Sequence, residues 1–358
     1  MRERLISTGI YGTLHFLVDF GCAFLIFRVF SDSGELYPYF LLYNFCAFAL
    51  QMPVGLLADR KNRNAPLAVA GCLLTALAFV ICTGAEGETV TVILAGVGNC
   101  LFHVGGGIEI INRSGRHLWP LGIFISPGAA GIFFGTMLGK ASDLPFYFPC
   151  LLLLTGSLAA LLWHKRTYKS FVSDNPPASL APAGRDSGIG RTLRPLSGLL
   201  CLFLVVALRS HLGMVFRFPW KNELAGGLLA LAAVVLGKAA GGIAADRFGI
   251  GRTAFFSMLA SVPCFFTADL PGFGTAALFF FNMSMPLTLY LASRILRGGR
   301  GFAFGLLTFA LFLGFLPSYL GYGMGTPLQL GMGGILSLVL LTTGWRLVRE
   351  ERRETGDE

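Results

Sequence analysis

Ionisable and amide side chains interrupt several long apolar stretches of this chain, at spacings that would bring them together. His15 and Asp19 are four residues apart, and Asn99 and His103 repeat that spacing. Because residues at i and i+4 share one face of an α-helix, each pair would point at the same neighbour. Three further residues of this kind occur later, namely Arg209, His211 and Asn282. Such groups are costly inside a membrane and normally face a cavity or a partner, so we predict that these seven form a site that binds a substrate and protons.

Asp19 and Arg209 carry opposite charges and define the chemistry that we expect. A carboxylate in a cavity can take and release a proton, and Arg209 would be either its counter-ion across the cavity or the anchor for an anionic group. A permanent ion pair that only fixes the helices is the alternative. His15 and His103 could shuttle protons near neutral pH, or could be hydrogen-bonded packing residues.

The same residues raise the question of a metal site. Imidazole and carboxylate groups bind several divalent ions, and three histidines and one aspartate occur in these stretches. Their spacing matches no compact metal-binding motif, and the ligands would have to converge from different helices. We therefore predict neither a metal site nor a cofactor.

The elements that must position these residues are membrane-spanning helices. Hydrophobic residues make up 54% of the 358 residues and charged residues 13%, too few to cover a water-soluble protein of this size. Barrel strands would be about half as long as the apolar runs observed. Runs of roughly 20 residues occur near 6–28, 36–57, 66–84, 89–111, 118–139, 145–163, 196–217, 224–244, 254–269, 273–292, 301–320 and 328–346. We predict an all-α membrane protein with about twelve spans.

The basic residues indicate the topology. Most of the 28 lysines and arginines lie in alternate connections and at the two ends of the chain. Because positively charged connections stay in the cytoplasm, both termini are predicted to be cytoplasmic, in a bacterial-type inner membrane. The net charge of +9 then reflects topology, and no nucleic-acid partner is expected. The eight cysteines fall inside predicted spans, and we expect free thiols.

A short charged segment occurs twice, with the same offset between its glycines and between its aspartates. The two copies contain Gly55, Asp59, Arg60 and Arg63, then Gly242, Asp246, Arg247 and Arg252. This repeat indicates two related halves, which in a membrane protein points to a transporter with its site between them. The predicted domains are an N-terminal six-helix bundle at 1–163, a cytoplasmic linker at 164–195 and a C-terminal six-helix bundle at 196–358.

Two other charged residues within the predicted spans have simpler interpretations. Glu109 lies four residues before Arg113 and is expected to pair with it. Lys238 lies two turns before Asp246, and its long side chain is expected to extend toward the cytoplasm, with a gating salt bridge as the alternative.

The duplicated segment resembles the signature loop of the major facilitator superfamily, G-x-x-x-D-R-x-x-R, between spans two and three and again between spans eight and nine. Asn62 stands where that family usually has glycine, and the trailing arginine of the second copy is displaced to Arg252. The resemblance implies two six-helix bundles around a cavity lined chiefly by spans one, four, seven and ten, which hold the seven polar residues.

The resemblance also implies a role for the duplicated loops. Asp59 and Asp246 would hold the outward-facing state and govern switching without touching substrate. A carboxylate in such a loop can bond a helix N-terminus or an arginine of the other half. Solvated loop charges that only set the topology are the alternative.

A narrower resemblance, to the fosmidomycin-resistance efflux branch, rests on spans four and five. The shared residues are Phe102 and His103, the segment 115–117, and Gly128 and Gly131, whereas Val104 replaces a proline common in that branch. The small residues around Pro127 also resemble the span-five pattern of exporters, although simple helix packing explains the glycines equally well. We take from this a preference for export and no substrate.

Together these features predict secondary transport of a small molecule by alternating access, coupled to protons and directed outward. No nucleotide-binding loop occurs, so we expect neither an enzyme nor an ATP-driven pump. Uptake of an organic anion is the alternative within transport, followed by divalent-metal transport. A non-transporting membrane receptor or a lipid-handling protein is the alternative outside it. The expected partners are the substrate, protons and the lipid bilayer, and the expected state is a monomer.

Overall fold

The structure is a computed structural model that describes residues 1–31, 36–82, 87–141, 144–174, 189–216, 218–296, 298–322 and 325–354. The middle of the predicted cytoplasmic linker, residues 175–188, lies outside the described residues. On either side of it the flanking helices extend into the predicted linker, to Asp174 and from Ile189.

The described part of the chain is built from α-helices. They are α1 (Arg2–Phe30), α2 (Leu36–Asn44), α3 (Gln51–Lys61), α4 (Asn64–Ile81), α5 (Glu88–Ser114), α6 (Trp119–Ala141), α7 (Tyr147–Asp174), α8 (Ile189–Val215), α9 (Leu224–Phe248), α10 (Ile250–Phe266), α11 (Pro271–Asn282), α12 (Ser284–Ile295), α13 (Arg300–Tyr319) and α14 (Pro327–Glu354). A π-helical segment, Phe45–Ala49, joins α2 to α3, and a short 3₁₀ helix, Pro219–Asn222, precedes α9.

Eleven of the helical segments are long and apolar enough to cross a membrane, and α10 is a shorter apolar helix of 17 residues. Large apolar side chains on the outer surface, such as Leu158, Leu162 and Val339, are exposed, as lipid contact requires. The predicted all-α membrane architecture is confirmed, and the chain is an integral membrane protein. The eight cysteines are free, also as predicted.

Two predicted spans are interrupted in the structure, and proline explains both interruptions. The second span contains the π-helical segment, and the tenth is divided between α11 and α12 at Met283. Pro53 and Pro286 lack the N–H that would bond the carbonyls of Ala49 and Asn282, four residues earlier. The backbone therefore changes its hydrogen-bonding pattern just before each proline.

Helices pack mainly within each half of the chain, and several pairs pack across the halves. In the first half α1 packs on α6 and α4 on α5, and in the second α8 packs on α14 and α9 on α11. The most extensive cross-half contacts are those of α3 with α13 and of α6 with α9, and α13 also packs on α5. The division into two six-helix domains stays a prediction.

Glycines let the helices approach closely where the sequence predicts it. A Cβ atom at Gly131 would lie 2.9 Å from the backbone nitrogen of Phe20, and one at Gly135 would lie 3.0 Å from that of Phe24. The contact of α6 with α1 therefore depends on the glycine spacing. Asn62 ends α3 with a left-handed backbone, φ 46°, a conformation that asparagine tolerates better than most residues. This explains how it can stand where the family pattern has glycine.

Candidate functional site

The two i, i+4 pairs predicted from the sequence meet at the contact between α1 and α5. Nδ2 of Asn99 donates a hydrogen bond to Oδ1 of Asp19 at 2.9 Å. Nε2 of His15 lies 3.3 Å from Oδ2 of Asp19, and Nε2 of His103 lies 3.6 Å from its Oδ1. All four side chains are buried. We call His15, Asp19 and His103 the His–Asp–His cluster.

Backbone carbonyls determine the tautomers of the two histidines. Nδ1 of His15 lies 2.8 Å from the carbonyl oxygen of Phe124, and Nδ1 of His103 lies 2.9 Å from that of Asn99. A carbonyl can only accept, so each Nδ1 must carry the hydrogen. In the neutral rings both Nε2 atoms are then acceptors.

The arrangement of these acceptors requires a cation. The two Nε2 atoms face each other at 2.9 Å, a hydrogen-bonding distance, with the Asp19 carboxylate beside them. Two lone pairs cannot bond each other, so one extra positive charge, as a proton or as a metal ion, satisfies the cluster. The cluster therefore has the geometry to hold one proton or one metal ion.

Gly128 of α6 forms the wall of the cluster. A Cβ atom there would overlap Nε2 of His15 and lie 2.5 Å from Oδ2 of Asp19. The sequence pattern singled out Gly128 for helix packing, and the structure adds that its lack of a side chain leaves space for the imidazole and the carboxylate.

We predict that Gly128→Ala displaces the His15 ring or the Asp19 carboxylate and lowers the melting temperature by several degrees, in keeping with overpacking costs of about 1–3 kcal/mol. The control is Gly9→Ala on α1, because a Cβ atom at Gly9 meets nothing within 4 Å. Thermal unfolding of the two purified variants makes the comparison. Equal melting temperatures would show that the cluster is not tightly enclosed.

A cavity of about 250 Å³ adjoins the cluster and is lined by both halves of the chain. His15, Asp19 and His103 border it from the first half, and Arg209 and Lys238 border it from the second. The guanidinium of Arg209 donates a hydrogen bond to Oγ of Ser284 at 3.3 Å. Arg209 and Lys238 are 8% and 9% exposed. Within the described residues no carboxylate lies within ion-pair distance of either cation.

The predicted ion pair between Asp19 and Arg209 is absent from the structure. Asp19 pairs instead with the two histidines, which reach it from its own helix and from α5. The physical reason is distance, since i, i+4 and neighbouring-helix partners satisfy a carboxylate without bridging a cavity. Arg209 lines the cavity as predicted, and of its two predicted roles the anchor for an anionic group is compatible with its surroundings.

Lys238 also differs from its predicted orientation. Its Nζ donates a hydrogen bond to the carbonyl oxygen of Ile125 at 3.3 Å, and its side chain borders the cavity. One turn later on the same face of α9, a Cβ atom at Gly242 would lie 2.6 Å from the carbonyl oxygen of Leu118. The backbone is closely packed in that direction, whereas the cavity offers space and an acceptor, so the expected extension toward the cytoplasm was wrong.

A wider cavity, of about 680 Å³, continues from the first toward the other end of the molecule. Arg209 borders both cavities. Asn282 borders the wider one, and its amide donates to the carbonyl of Leu278 at 2.8 Å. His211 borders neither, and its Nδ1 is buried without a hydrogen-bond partner. Of the seven predicted site residues, six thus lie at the two cavities or within hydrogen-bond distance of the cluster.

The two duplicated aspartates each bond the start of a helix in the opposite half. Oδ1 and Oδ2 of Asp59 accept hydrogen bonds from the backbone N–H groups of Gly301 and Phe302, at 2.7 and 2.8 Å. Oδ1 and Oδ2 of Asp246 accept from those of Leu118 and Trp119, at 2.8 and 3.0 Å. A carboxylate at a helix N-terminus is stabilised by the helix dipole. We call these two sets of bonds the latches, and the end of the molecule that carries them the latch side.

Close backbone contacts accompany the latches. Gly55 packs against Gly301 between α3 and α13, and Gly242 packs against Leu118 between α9 and α6. The two halves therefore touch on the latch side, whereas the wider cavity lies toward the opposite end of α6 and α9. The arginines of the repeated segments, Arg60, Arg63, Arg247 and Arg252, are exposed.

Glu109 and Arg113 form the predicted local pair. Nε of Arg113 donates to Oε1 of Glu109 at 2.7 Å, and both side chains are buried. Nε of Arg4 in turn donates to the carbonyl oxygen of Arg113 at 2.8 Å, which attaches the start of α1 to the end of α5. This group has a structural explanation that does not involve the cavities.

Comparison with known proteins connects this geometry to a fold. No protein-family profile and no curated protein sequence matches the chain. Many solved structures match it, among them three that each cover nearly all of the chain. The E. coli fucose:proton symporter is 13% identical with a TM-score of 0.59 and covers 97% of this chain and 99% of its own. The human organic anion transporter MFSD10 is 14% identical with a TM-score of 0.63 and corresponding coverages of 95% and 99%.

The third is a bacterial homologue of the iron transporter ferroportin in an outward-facing state, 13% identical with a TM-score of 0.65, covering 98% of this chain and 99% of its own. At such low identity these matches establish the fold alone. The chain has the major facilitator fold, as its duplicated segment predicts.

Proposed function

We propose that this chain, with its major facilitator fold, is a secondary transporter that moves a small molecule through the central cavity and couples its movement to protons. The observation that carries the proposal is the His–Asp–His cluster, where three acceptors converge on one position beside the cavity. A proton that is bound there when the cavity faces one side and released when it faces the other provides the coupling.

Alternating access has a structural basis in the latches. The bonds of Asp59 and Asp246 join the two halves on the latch side, and the wider cavity lies toward the other end. The basic connections lie on the latch side, which we assign to the cytoplasm. With that assignment we propose that this state is closed to the cytoplasm and that the transport cycle must break the latches to reach the opposite state.

The charges of the cavity favour an anionic substrate. Arg209 and Lys238 are buried, border the same cavity and lack a carboxylate partner in the described part of the chain, whereas Asp19 is engaged with the histidines. Buried cations of this kind are stabilised when a ligand supplies the missing negative charge. An organic anion is therefore the substrate class that we propose. Outward movement remains our preferred direction, supported by the glycine and proline pattern of α6.

The substrate class can be tested at Arg209. Lysine keeps the charge but loses the planar two-pronged geometry, so Arg209→Lys should weaken binding of a carboxylate or phosphate substrate by about 1–3 kcal/mol. The control is Lys221→Arg, the reverse exchange of one basic residue for the other. Lys221 borders the wider cavity and not the smaller one. Isothermal titration of both variants with the same anion makes the measurement. Equal affinity in Arg209→Lys and the unmodified protein would exclude Arg209 as the anchor.

The proposed function as a whole is tested with purified protein in liposomes. A thermal-shift screen of organic anions and cations at several pH values first identifies a ligand, and its radiolabelled form is then followed across the liposome membrane. We expect a pH gradient alone to drive accumulation of an anion against its own gradient. A ligand that equilibrates at the same rate with and without the pH gradient would contradict proton coupling and leave facilitated transport.

A further inference from the structure

We propose that the His–Asp–His cluster is a binding site for one divalent transition-metal ion, such as Zn²⁺ or Co²⁺. The ligand atoms would be Nε2 of His15, Nε2 of His103 and the two carboxylate oxygens of Asp19, one of which lies beside each histidine. The ligand atoms of these three buried residues lie within 4.8 Å of one another. This inference goes beyond the proposed function, which assigns only a proton to the cluster.

The distances between the ligand atoms fit a single ion. Zn²⁺ binds imidazole nitrogen and carboxylate oxygen at about 2.0–2.2 Å, so two of its ligands at angles of roughly 90–110° are about 2.8–3.6 Å apart. The observed separations are 2.9 Å between the two Nε2 atoms, 3.3 Å from His15 Nε2 to Asp19 Oδ2 and 3.6 Å from His103 Nε2 to Asp19 Oδ1. All three fall within that range.

Hydrogen bonds from neighbouring groups hold the two histidines and Asp19 in the orientation that such residues have in metal sites. A metal-binding histidine usually donates its other ring N–H to a carbonyl or carboxylate. Here Nδ1 of His15 bonds the carbonyl of Phe124 and Nδ1 of His103 bonds the carbonyl of Asn99, which directs both Nε2 lone pairs to one point. The Asn99 amide holds the Asp19 carboxylate in the same way. These contacts come from three helices, α1, α5 and α6.

The ligand set indicates which ions fit. Two imidazoles and one carboxylate suit Zn²⁺, Co²⁺, Fe²⁺ or Ni²⁺, whereas Mg²⁺ and Ca²⁺ prefer oxygen ligands. Three protein ligands leave a coordination position open, and the cluster borders the cavity that holds Arg209 and Lys238. Those two cations favour a negatively charged ligand at the open position. The site is thus built for an ion that can be exchanged.

Cobalt provides a direct test with purified protein in detergent at one fixed pH. Co²⁺ bound through imidazole in a site with few ligands gives visible ligand-field bands, and these should saturate at one ion per chain. Zn²⁺ should displace the bands and excess Mg²⁺ should not. His15→Gln and His103→Gln should each weaken Co²⁺ binding about tenfold or more. His164→Gln, on α7 away from the cavity, is the matched control and should bind as the unmodified protein does.

Measurements on the unmodified protein keep the test valid if a variant fails to fold. X-ray absorption at the zinc edge should show about two imidazole ligands in the Zn²⁺-loaded protein. Absence of a bound ion, a bound ion without imidazole ligands, or binding unchanged in both histidine variants would overturn the metal site. Proton-driven transport that persists in metal-free protein would leave the proposed function intact in that case, so the two proposals fail separately.

Discussion

Asp19→Asn is expected to abolish transport driven by a pH gradient while the protein remains folded. Asparagine cannot take up or release a proton. Among the described residues that border the cavity of about 250 Å³, Asp19 provides the single carboxylate. Its amide can still donate to a histidine Nε2, so the packing of the cluster need not collapse. Loss of a positioned proton-transfer group typically reduces a rate by about 10²–10⁴-fold, and a decrease of that size in gradient-driven flux is what we expect.

The control for this variant is Asp269→Asn, which removes an exposed carboxylate in the connection after α10. Both variants are reconstituted in liposomes, and flux is measured with and without a pH gradient. Exchange of labelled for unlabelled substrate should survive in Asp19→Asn, because that exchange requires no net proton movement. Gradient-driven flux at the unmodified rate would remove Asp19 from the coupling mechanism.

Removal of the latches is expected to have the second largest effect. In the double variant Asp59→Asn/Asp246→Asn, each amide keeps one acceptor oxygen in place of two charged ones. Hydrogen bonds to charged groups contribute about 1.5–3 kcal/mol each, so the state closed on the latch side should lose enough stability to change its population by tenfold or more. Substrate exchange should slow, whereas equilibrium affinity should change little, since neither aspartate borders either of the two cavities described above.

Spin labels at Lys61 and Phe248, exposed residues of opposite halves on the latch side, report this change as a longer distance between the labels. Glu3→Gln is the matched control, because it removes an exposed carboxylate at the same end of the molecule. We expect Asp59→Asn alone to have the larger effect of the two single variants, since Asp59 is less exposed than Asp246. A large loss of affinity with an unchanged exchange rate would contradict the latch assignment.

The sequence was sufficient to predict those features that depend on local spacing. Apolar length predicted the helices, and the i, i+4 spacing predicted that His15 and Asp19 share a face, as do Asn99 and His103. For the duplicated aspartates the sequence offered two partners, a helix N-terminus or an arginine of the other half, and the structure has the first. The helix inferences need only one helix, whereas the choice of partner for the aspartates depends on how the two halves meet.

Features that depend on how helices meet could not be predicted in the same way. The carbonyl of Phe124 determines the tautomer of His15, but no sequence pattern marks a backbone carbonyl as a partner. Lys238 borders the cavity and bonds the carbonyl of Ile125, a contact between α9 and α6 that no sequence pattern marks. The Asp19–Arg209 pair was predicted from opposite charge and from the related positions of the two residues in the two halves, without the shorter local contacts that compete for the carboxylate. The i, i+4 spacing of His15 and Asp19 already offered the carboxylate a nearer partner on its own helix.

In the proposed proton-coupled transporter, the close contact of the two halves on the latch side would also keep protons from leaking through the protein. Where Gly55 packs against Gly301, a Cβ atom on either residue would overlap the opposite backbone. The space between α3 and α13 is therefore too narrow at this point for a continuous chain of water molecules. A proton gradient can do work only if protons cannot cross without the substrate. Even a small side chain at Gly55 would separate the helices. We expect liposomes that contain such a variant to leak protons when no substrate is present.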